Sequence, residues 1–374
     1  MRILYVADNG FSFEDGTFYY TRPNDINAKQ YQKYFDKIIY IARTSKHMPS
    51  DIAIDEKSKV ILLGRYDFLC LYKRMKKHKD EYDAVVVRNG LYGCFAAFYA
   101  KLLGKLLISY CGADPLEFQE AKGTLTAKVI GFFWQYLENI KMKKADYAHY
   151  CTKVLYDRYP CDNPYLICSN VNIKIEDSVL QKRLNKISHS TGSYKLGLLG
   201  QLGNDDRKGI STVIRALQIL GNNYSFEIVG GGNPDIFLSL ACSLGVENRV
   251  HFLGYLSDTN EINKWLDTVD IYVQPSLAEG LPRATIEAMA RACPAMGTKV
   301  CGMIELLDDR YLIACRDYKN MAYIIKRMSN IEELKETATR NFEKSKDYTS
   351  EVRDRKLNIF YNSIVDDFKN RIKA

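Results

Sequence analysis

Along the chain, short runs of β-branched and aliphatic residues alternate with longer segments whose apolar positions recur every three to four residues. Runs too short for a helix read as strands buried on both faces, and strands alternating with helices argue for parallel sheets built from βαβ units. In the first half the pattern predicts strands near Ile3–Ala7, Lys37–Ala42, Val60–Gly64, Ala84–Arg88, Leu106–Tyr110 and Tyr147–Cys151. Helices are predicted over Leu91–Leu103 and Leu125–Lys144. The pattern restarts with strands near Lys195–Gly200, Phe226–Gly230, Val250–Leu253 and Ile271–Gln274, and helices near Gly209–Leu220, Pro234–Leu244 and Arg283–Cys293. Between the halves, Asn172–Ser193 is polar and charged and reads as a linker. Beyond Ile331 the pattern is helical and amphipathic. The expected organisation is a first α/β domain over 1–171, a linker over 172–193, a second α/β domain over 194–350, and a final helix over 351–374.

Composition narrows this picture without changing it. A chain of 374 residues suits two domains, and 47% hydrophobic with 26% charged residues is ordinary for a globular core. Met1–Ala7 reads as a strand from the start rather than a secretion signal, and no apolar run approaches the ~20 residues that cross a bilayer. The expected location is cytoplasmic, at most peripheral on the inner leaflet of a membrane. The ten cysteines are scattered, with no Cys-x-x-Cys pair and no Cys/His cluster. They read as reduced thiols, at least nine of them buried, and no metal site is expected. A net charge of +8 invites a nucleic-acid reading, but the basic residues are not interleaved with aromatics along one element, so no nucleic-acid partner is expected. Two basic clusters stand out, Lys73, Arg74, Lys76, Lys77, Lys79 and Lys141, Lys143, Lys144. Each is either a solvated helix end or a patch for an anionic membrane surface. Leu125–Lys144 carries a bulky apolar side and a basic end: either a core-facing helix with a solvated tail or one that lies in a lipid interface.

The segment richest in chemistry is Pro275-Ser-Leu-Ala-Glu279-Gly280-Leu281-Pro-Arg283-Ala-Thr-Ile-Glu287-Ala-Met-Ala. A strand ends at Gln274, a turn holding Gly280 and Pro282 follows, and a helix begins. Open α/β sheets bind ligands at the carboxyl ends of strands, where helix N-termini offer free N–H groups. Glu279 therefore falls in the loop at the mouth of such a site, with Glu287 about a turn and a half into the helix. A carboxylate accepts two hydrogen bonds and suits vicinal hydroxyls of a sugar or ribose. For either glutamate alone, a carboxylate at a helix N-terminus is the simpler reading.

Two glutamates so placed, followed by Glu-Ala-Met-Ala, resemble the E-x7-E motif of the family 4 retaining glycosyltransferases. Three further blocks follow that family's order: Leu196–Gly200 with Arg207-Lys208-Gly209, Phe226–Gly232, and Arg249–Gly254. The resemblance covers roughly Lys195 to Leu307. It implies an α/β chain of GT-B fold, two Rossmann-like domains facing a central cleft, with the final helix packing back on the first domain. It also implies that Glu279 orients the donor sugar, Glu287 holds the nucleotide ribose, and Lys208 with Arg207 takes the diphosphate. Backbone amides of Gly280 and Leu281 would complete the anion site, and Gly230 would let backbone approach the nucleotide. The family's usual arginine in a Gly-Arg-Leu opening is replaced here by Gln201.

The first half matches more loosely. Ile108-Ser-Tyr-Cys111-Gly112-Ala113-Asp114 resembles the family's His-Gly-Ser-Asp strand end, with Cys111 in the histidine's place. Cys111 and Asp114 are thereby expected near the donor, and Gly16 in an amino-terminal loop is expected to let backbone approach the phosphate. The resemblance implies a retaining hexosyltransferase without cofactor or metal, taking a UDP- or GDP-sugar. Its acceptor would be a glycan, on a lipid carrier, in capsule, O-antigen or exopolysaccharide synthesis. The alternatives are a non-catalytic scaffold subunit and a sugar-nucleotide epimerase of the same fold.

Overall fold

The computed structural model describes residues 1–20, 29–47, 51–54, 58–64, 70–203, 205–256 and 258–373. The chain forms two compact units: Met1–Leu116, Lys128–Cys168 and Asp354–Ala374 make the first, Glu117–Ala127 and Ser169–Arg353 the second.

The first unit is built on strands β1 (Arg2–Glu14), β2 (Thr17–Tyr20), β3 (Lys37–Thr44), β4 (Ile52–Ala53), β5 (Lys59–Leu63), β6 (Ala84–Val87), β7 (Leu106–Cys111), β8 (Tyr147–Tyr150) and β9 (Tyr165–Ile167). Strands β5-β3-β1-β6-β7-β8-β9 run parallel, each beside the next. The helices of βαβ crossovers cover both faces of such a sheet, so its middle strands are apolar throughout; all four residues of β6 are buried. β1 outruns its sequence reading. After a register shift between Ala7 and Gly10 it continues to Glu14 and turns into β2 through Asp15 (φ 47°) and Gly16 (φ 79°). Asp-Gly with both φ positive is the two-residue turn that matches strand twist. Gly16, expected to approach a phosphate from a loop, thus owes its place to an exposed hairpin turn.

The final helix, Ser350–Lys373, buries Leu357, Phe360, Tyr361 and Ile364 in the core of the first unit. Tyr361 Oη lies 3.0 Å from His149 Nδ1, and Tyr147 donates to Asp367 at 2.7 Å. Burial pushes the His149 imidazole down to about 4, so it is neutral at physiological pH.

Leu125–Lys143 forms a helix, but Lys141 is not at a solvated basic end. It is 2% exposed and pairs with the equally buried Glu138 at 2.6 Å. Asn89 donates to Glu138 at 2.9 Å and to the Ala113 carbonyl at 3.1 Å, and accepts from the Gly112 N–H at 2.6 Å. A buried ion pair thereby fixes the loop after β7.

The second unit carries β10 (Tyr194–Leu199), β11 (Tyr224–Val229), β12 (Val250–Gly254), β13 (Ile271–Gln274), β14 (Ala295–Thr298) and β15 (Leu312–Ile313). All are parallel, in the order β12-β11-β10-β13-β14-β15. In order of appearance this is 3-2-1-4-5-6, the doubly wound arrangement whose ligand crevice lies where strand order reverses, between β10 and β13. The stretch read as a linker contains a helix, Ser178–Ser188, whose Val179, Arg183 and Ile187 recur every four residues and are buried. Arg183 donates to the carbonyls of Leu266, Val269 and Arg291, so this helix is part of the second unit. None of the ten cysteines is in a disulfide among the described residues; six are buried, whereas Cys70, Cys242 and Cys315 are exposed, more than the sequence reading allowed.

Candidate functional site

Two loops leave the sheet of the second unit at its switch point. The loop after β10 ends at Gly209, which opens the helix Ile210–Leu220 with φ 72°. A Cβ at Gly209 would lie 1.9 Å from the Pro275 carbonyl oxygen, so the helix start is pressed against the loop after β13. The Leu277 N–H donates to the Arg207 carbonyl at 2.8 Å and laces the two loops together. This brings Lys208 and Glu279 face to face. Lys208 Nζ donates to Glu279 Oε1 at 2.7 Å, its stem lying over Gly200, where a Cβ would meet Lys208 Cε at 3.1 Å.

Glu279 Oε1 also accepts from Ser276 Oγ at 2.7 Å and Gln274 Nε2 at 3.3 Å. Gln274 is held in turn by Tyr272, whose hydroxyl donates to Oε1 of Gln274 at 2.6 Å and accepts from the Leu199 N–H at 3.3 Å. Tyr272 and Gln274 are two apart on β13 and share a face. This buried polar ladder fixes one carboxylate oxygen of Glu279 and was missed in the sequence, where Tyr-Val-Gln reads only as a strand end. Asp206 was missed as well. At φ 45° it accepts from the Ser211 N–H at 3.3 Å and caps the Ile210–Leu220 helix, while burial raises its carboxyl above the ordinary range.

Glu287 lies on the helix Arg283–Ala290. Burial raises its carboxyl above the usual range, with Arg283 opposing. Among the described residues no hydrogen bond or ion pair to it is seen. Its side chain lines a cavity of about 320 Å³ together with Asn172, Thr259, Asn260, Asn263 and Arg291. Glu279 and Glu287 both act electrostatically on the buried Tyr272 hydroxyl and, after burial itself, push it up. Glu279 follows β13 in its loop and Glu287 lies on the helix after that loop.

The other expected residues are placed as follows. Arg207 is exposed, its guanidinium 5.4 Å from the Phe118 ring rather than beside Glu279. Gly280 accepts at its carbonyl from the Gly302 N–H at 2.9 Å, and Leu281 is half-buried. Gly230 (φ 154°) is demanded by the fold itself, since a Cβ there would lie 1.9 Å from the Gly200 carbonyl oxygen. In the first unit, the Cys111 thiol is fully buried, and burial raises its pKa well above that of a free thiol. Asp114 is buried against Arg158 and Tyr159, and accepts from the Leu116 N–H at 2.7 Å to start the helix Pro115–Glu120. Both side chains are engaged within their own unit.

Residues 193–330 match the model of the family described as "Glycosyl transferases group 1". The chain is 27% identical to Protein CapJ of Staphylococcus aureus over 87% of its own length and 86% of that protein's. It is 32% identical to the lipopolysaccharide glucosyltransferase WaaG of Escherichia coli over 30% of each chain. The solved structure of Anabaena HepE in complex with UDP-glucose superposes with a TM-score of 0.67 at 16% identity, covering 97% of this chain and 100% of that one. The fold is the mixed α/β GT-B type, with two Rossmann-like sheets, the first largely and the second wholly parallel.

Proposed function

We propose that this chain is a retaining glycosyltransferase that moves a hexose from a nucleotide-sugar onto a glycan acceptor. The acceptor is a lipid-linked oligosaccharide of capsule, O-antigen or exopolysaccharide synthesis, met at the inner leaflet. The observation that carries the reading is the pair of unlike carboxylates at the switch point of the second unit. Glu279 is clamped by Lys208, Ser276 and Gln274. Among the described residues Glu287 has no such clamp, and it opens on a cavity edged by amide side chains. The first arrangement suits an orienting contact beside an anion, the second a bidentate acceptor for ribose hydroxyls. The WaaG and CapJ similarities and the fold shared with the UDP-glucose complex support the same reading.

In this reading Lys208 and the N-terminal amides of Ile210–Leu220 stabilise charge on the departing diphosphate, with Arg207 turning in from Phe118. The diphosphate itself takes the acceptor's proton on the face it leaves, so configuration is retained without a separate base. The Arg/Lys/dipole set replaces a divalent cation. Purified protein is therefore expected to hydrolyse one of a panel of UDP- and GDP-sugars in EDTA, and Lys208→Ala to lose at least ~10²-fold in turnover while folded. A folded Lys208→Ala protein with full turnover overturns the site assignment. Complete loss in EDTA with rescue by Mg²⁺ overturns the metal-free mechanism.

A further inference from the structure

The helix Leu125–Lys143 is turned inside out. At about 100° per residue, Ala127, Gly131, Glu138, Lys141 and Met142 fall on one side, and all five are buried. Its buried face thus holds two small residues, a methionine and an ion pair. Val129, Ile130, Phe132, Phe133 and Tyr136 share the opposite arc, roughly 160° wide, and are 63%, 46%, 51%, 56% and 64% exposed. Soluble helices show the reverse pattern, and a contiguous exposed apolar face of this kind marks an interaction surface. Its charge says what it meets. Lys143 and Lys144 continue the same arc and Lys128 borders it, all exposed, whereas the helix's one carboxylate, Glu138, is turned inward and neutralised by Lys141. An aromatic face flanked by lysines and bare of exposed acid complements an interface with apolar depth and anionic headgroups.

We propose that the outer face of this helix seats the first unit on an anionic bilayer, with Phe132, Phe133 and Tyr136 dipping below the headgroups and Lys143 and Lys144 on lipid phosphate. This narrows the basic patch seen in the sequence: Lys141 is excluded from it by burial. The proposal deepens the transferase reading by naming the surface at which a lipid-carried acceptor is met. It rests on that reading only for the acceptor, since the helix face stands without it.

Flotation with neutral phosphatidylcholine vesicles, and with vesicles containing about one-third phosphatidylglycerol, tests the seat; gel filtration without lipid is run alongside. The wild type should float with the anionic vesicles and release as salt rises. Lys143→Glu/Lys144→Glu should weaken binding at least about thirtyfold, since each lysine is worth a factor of about five before charge reversal is counted. Phe132→Ser/Phe133→Ser should abolish flotation while the protein stays folded with at most a small loss of thermal stability, because about half of each side chain is already in water in the free protein. Donor hydrolysis in solution should be unchanged in both variants, which separates failure of the seat from failure of the transferase reading. Wild type that stays unbound at low salt overturns the proposal. So does a dimer in gel filtration that Phe132→Ser/Phe133→Ser converts to monomer, which would assign the face to a second copy.

Discussion

In the resting site the lysine proposed to hold the donor diphosphate is already neutralised by a carboxylate, so Glu279→Gln should split binding from turnover. Lys208 Nζ sits 2.7 Å from Glu279 Oε1, with the two side chains 22% and 13% exposed. A phosphate oxygen taking its own bond from the ammonium would lie about 5 Å from that carboxylate. One like-charge repulsion at ~5 Å is worth about 0.8 kcal/mol in water and about 3 kcal/mol at an effective dielectric of ~20. A half-open cleft lies between those limits, so removing the charge should tighten UDP binding by about 1–2 kcal/mol, roughly five- to thirtyfold. The glutamine keeps an oxygen for Ser276 and Gln274, and loss of a partly exposed ion pair costs about 1 kcal/mol or less, so the protein stays folded. Turnover should nevertheless fall about 10²-fold, because in the proposed reading this carboxylate orients the sugar as charge develops. Calorimetric titration with UDP and single-turnover kinetics on the donor measure the two effects. A folded Glu279→Gln protein that binds UDP no tighter than wild type refutes the electrostatic argument, and one with undiminished turnover refutes the catalytic role.

Glu287→Gln should act in the opposite sense on stability. The folded state raises this carboxyl by burial, so it binds the proton more tightly than the unfolded chain does. Stability is lost as pH climbs through and above the carboxylate range and is not regained higher up. The variant should melt higher than wild type at pH 7.5 and equal it near pH 4, while UDP binds at least about tenfold more weakly; identical melting at both pH values contradicts the burial argument. Lys141→Met strands the Glu138 charge in the first unit and should cost about 3–5 kcal/mol in urea denaturation at pH 7. Much of that should return in Lys141→Met/Glu138→Gln; a loss under 1 kcal/mol in the single variant would mean the pair does not hold the fold.

The βαβ alternation was legible because strands buried on both faces announce themselves by runs of β-branched and aliphatic residues, as in Ala84–Val87 and, around one tyrosine, Ile271–Val273. Short strands near the sheet edge do not. Ala295–Thr298, second from the edge, is Ala-Met-Gly-Thr, and the edge strand Leu312–Ile313 is only two residues long; the first is held by β13 and the second by the first. Ser178–Ser188 was hidden by its polar exterior, although Val179, Arg183 and Ile187 held the period. In the site, Glu279, Lys208 and Glu287 lay in recognisable local segments. The Tyr272–Gln274–Ser276 support did not, since it acts through space beneath the loop. For Leu125–Lys143, periodicity revealed an apolar side but not which side meets the core. That choice is made by a glutamate and a lysine three apart, which neutralise one another inside.

The final helix bears on how the chain is made. Leu357, Phe360, Tyr361 and Ile364 complete a core whose other members begin at Ile3. On a ribosome adding about 5–20 residues per second, the intervening second unit, 169–353, takes roughly 10–40 s to emerge. The second unit has all its strands in hand during that interval; the first, begun earlier, waits with its aromatic pocket open. Order of synthesis and order of completion are reversed, and the half-finished first unit is the species a chaperone or protease would meet.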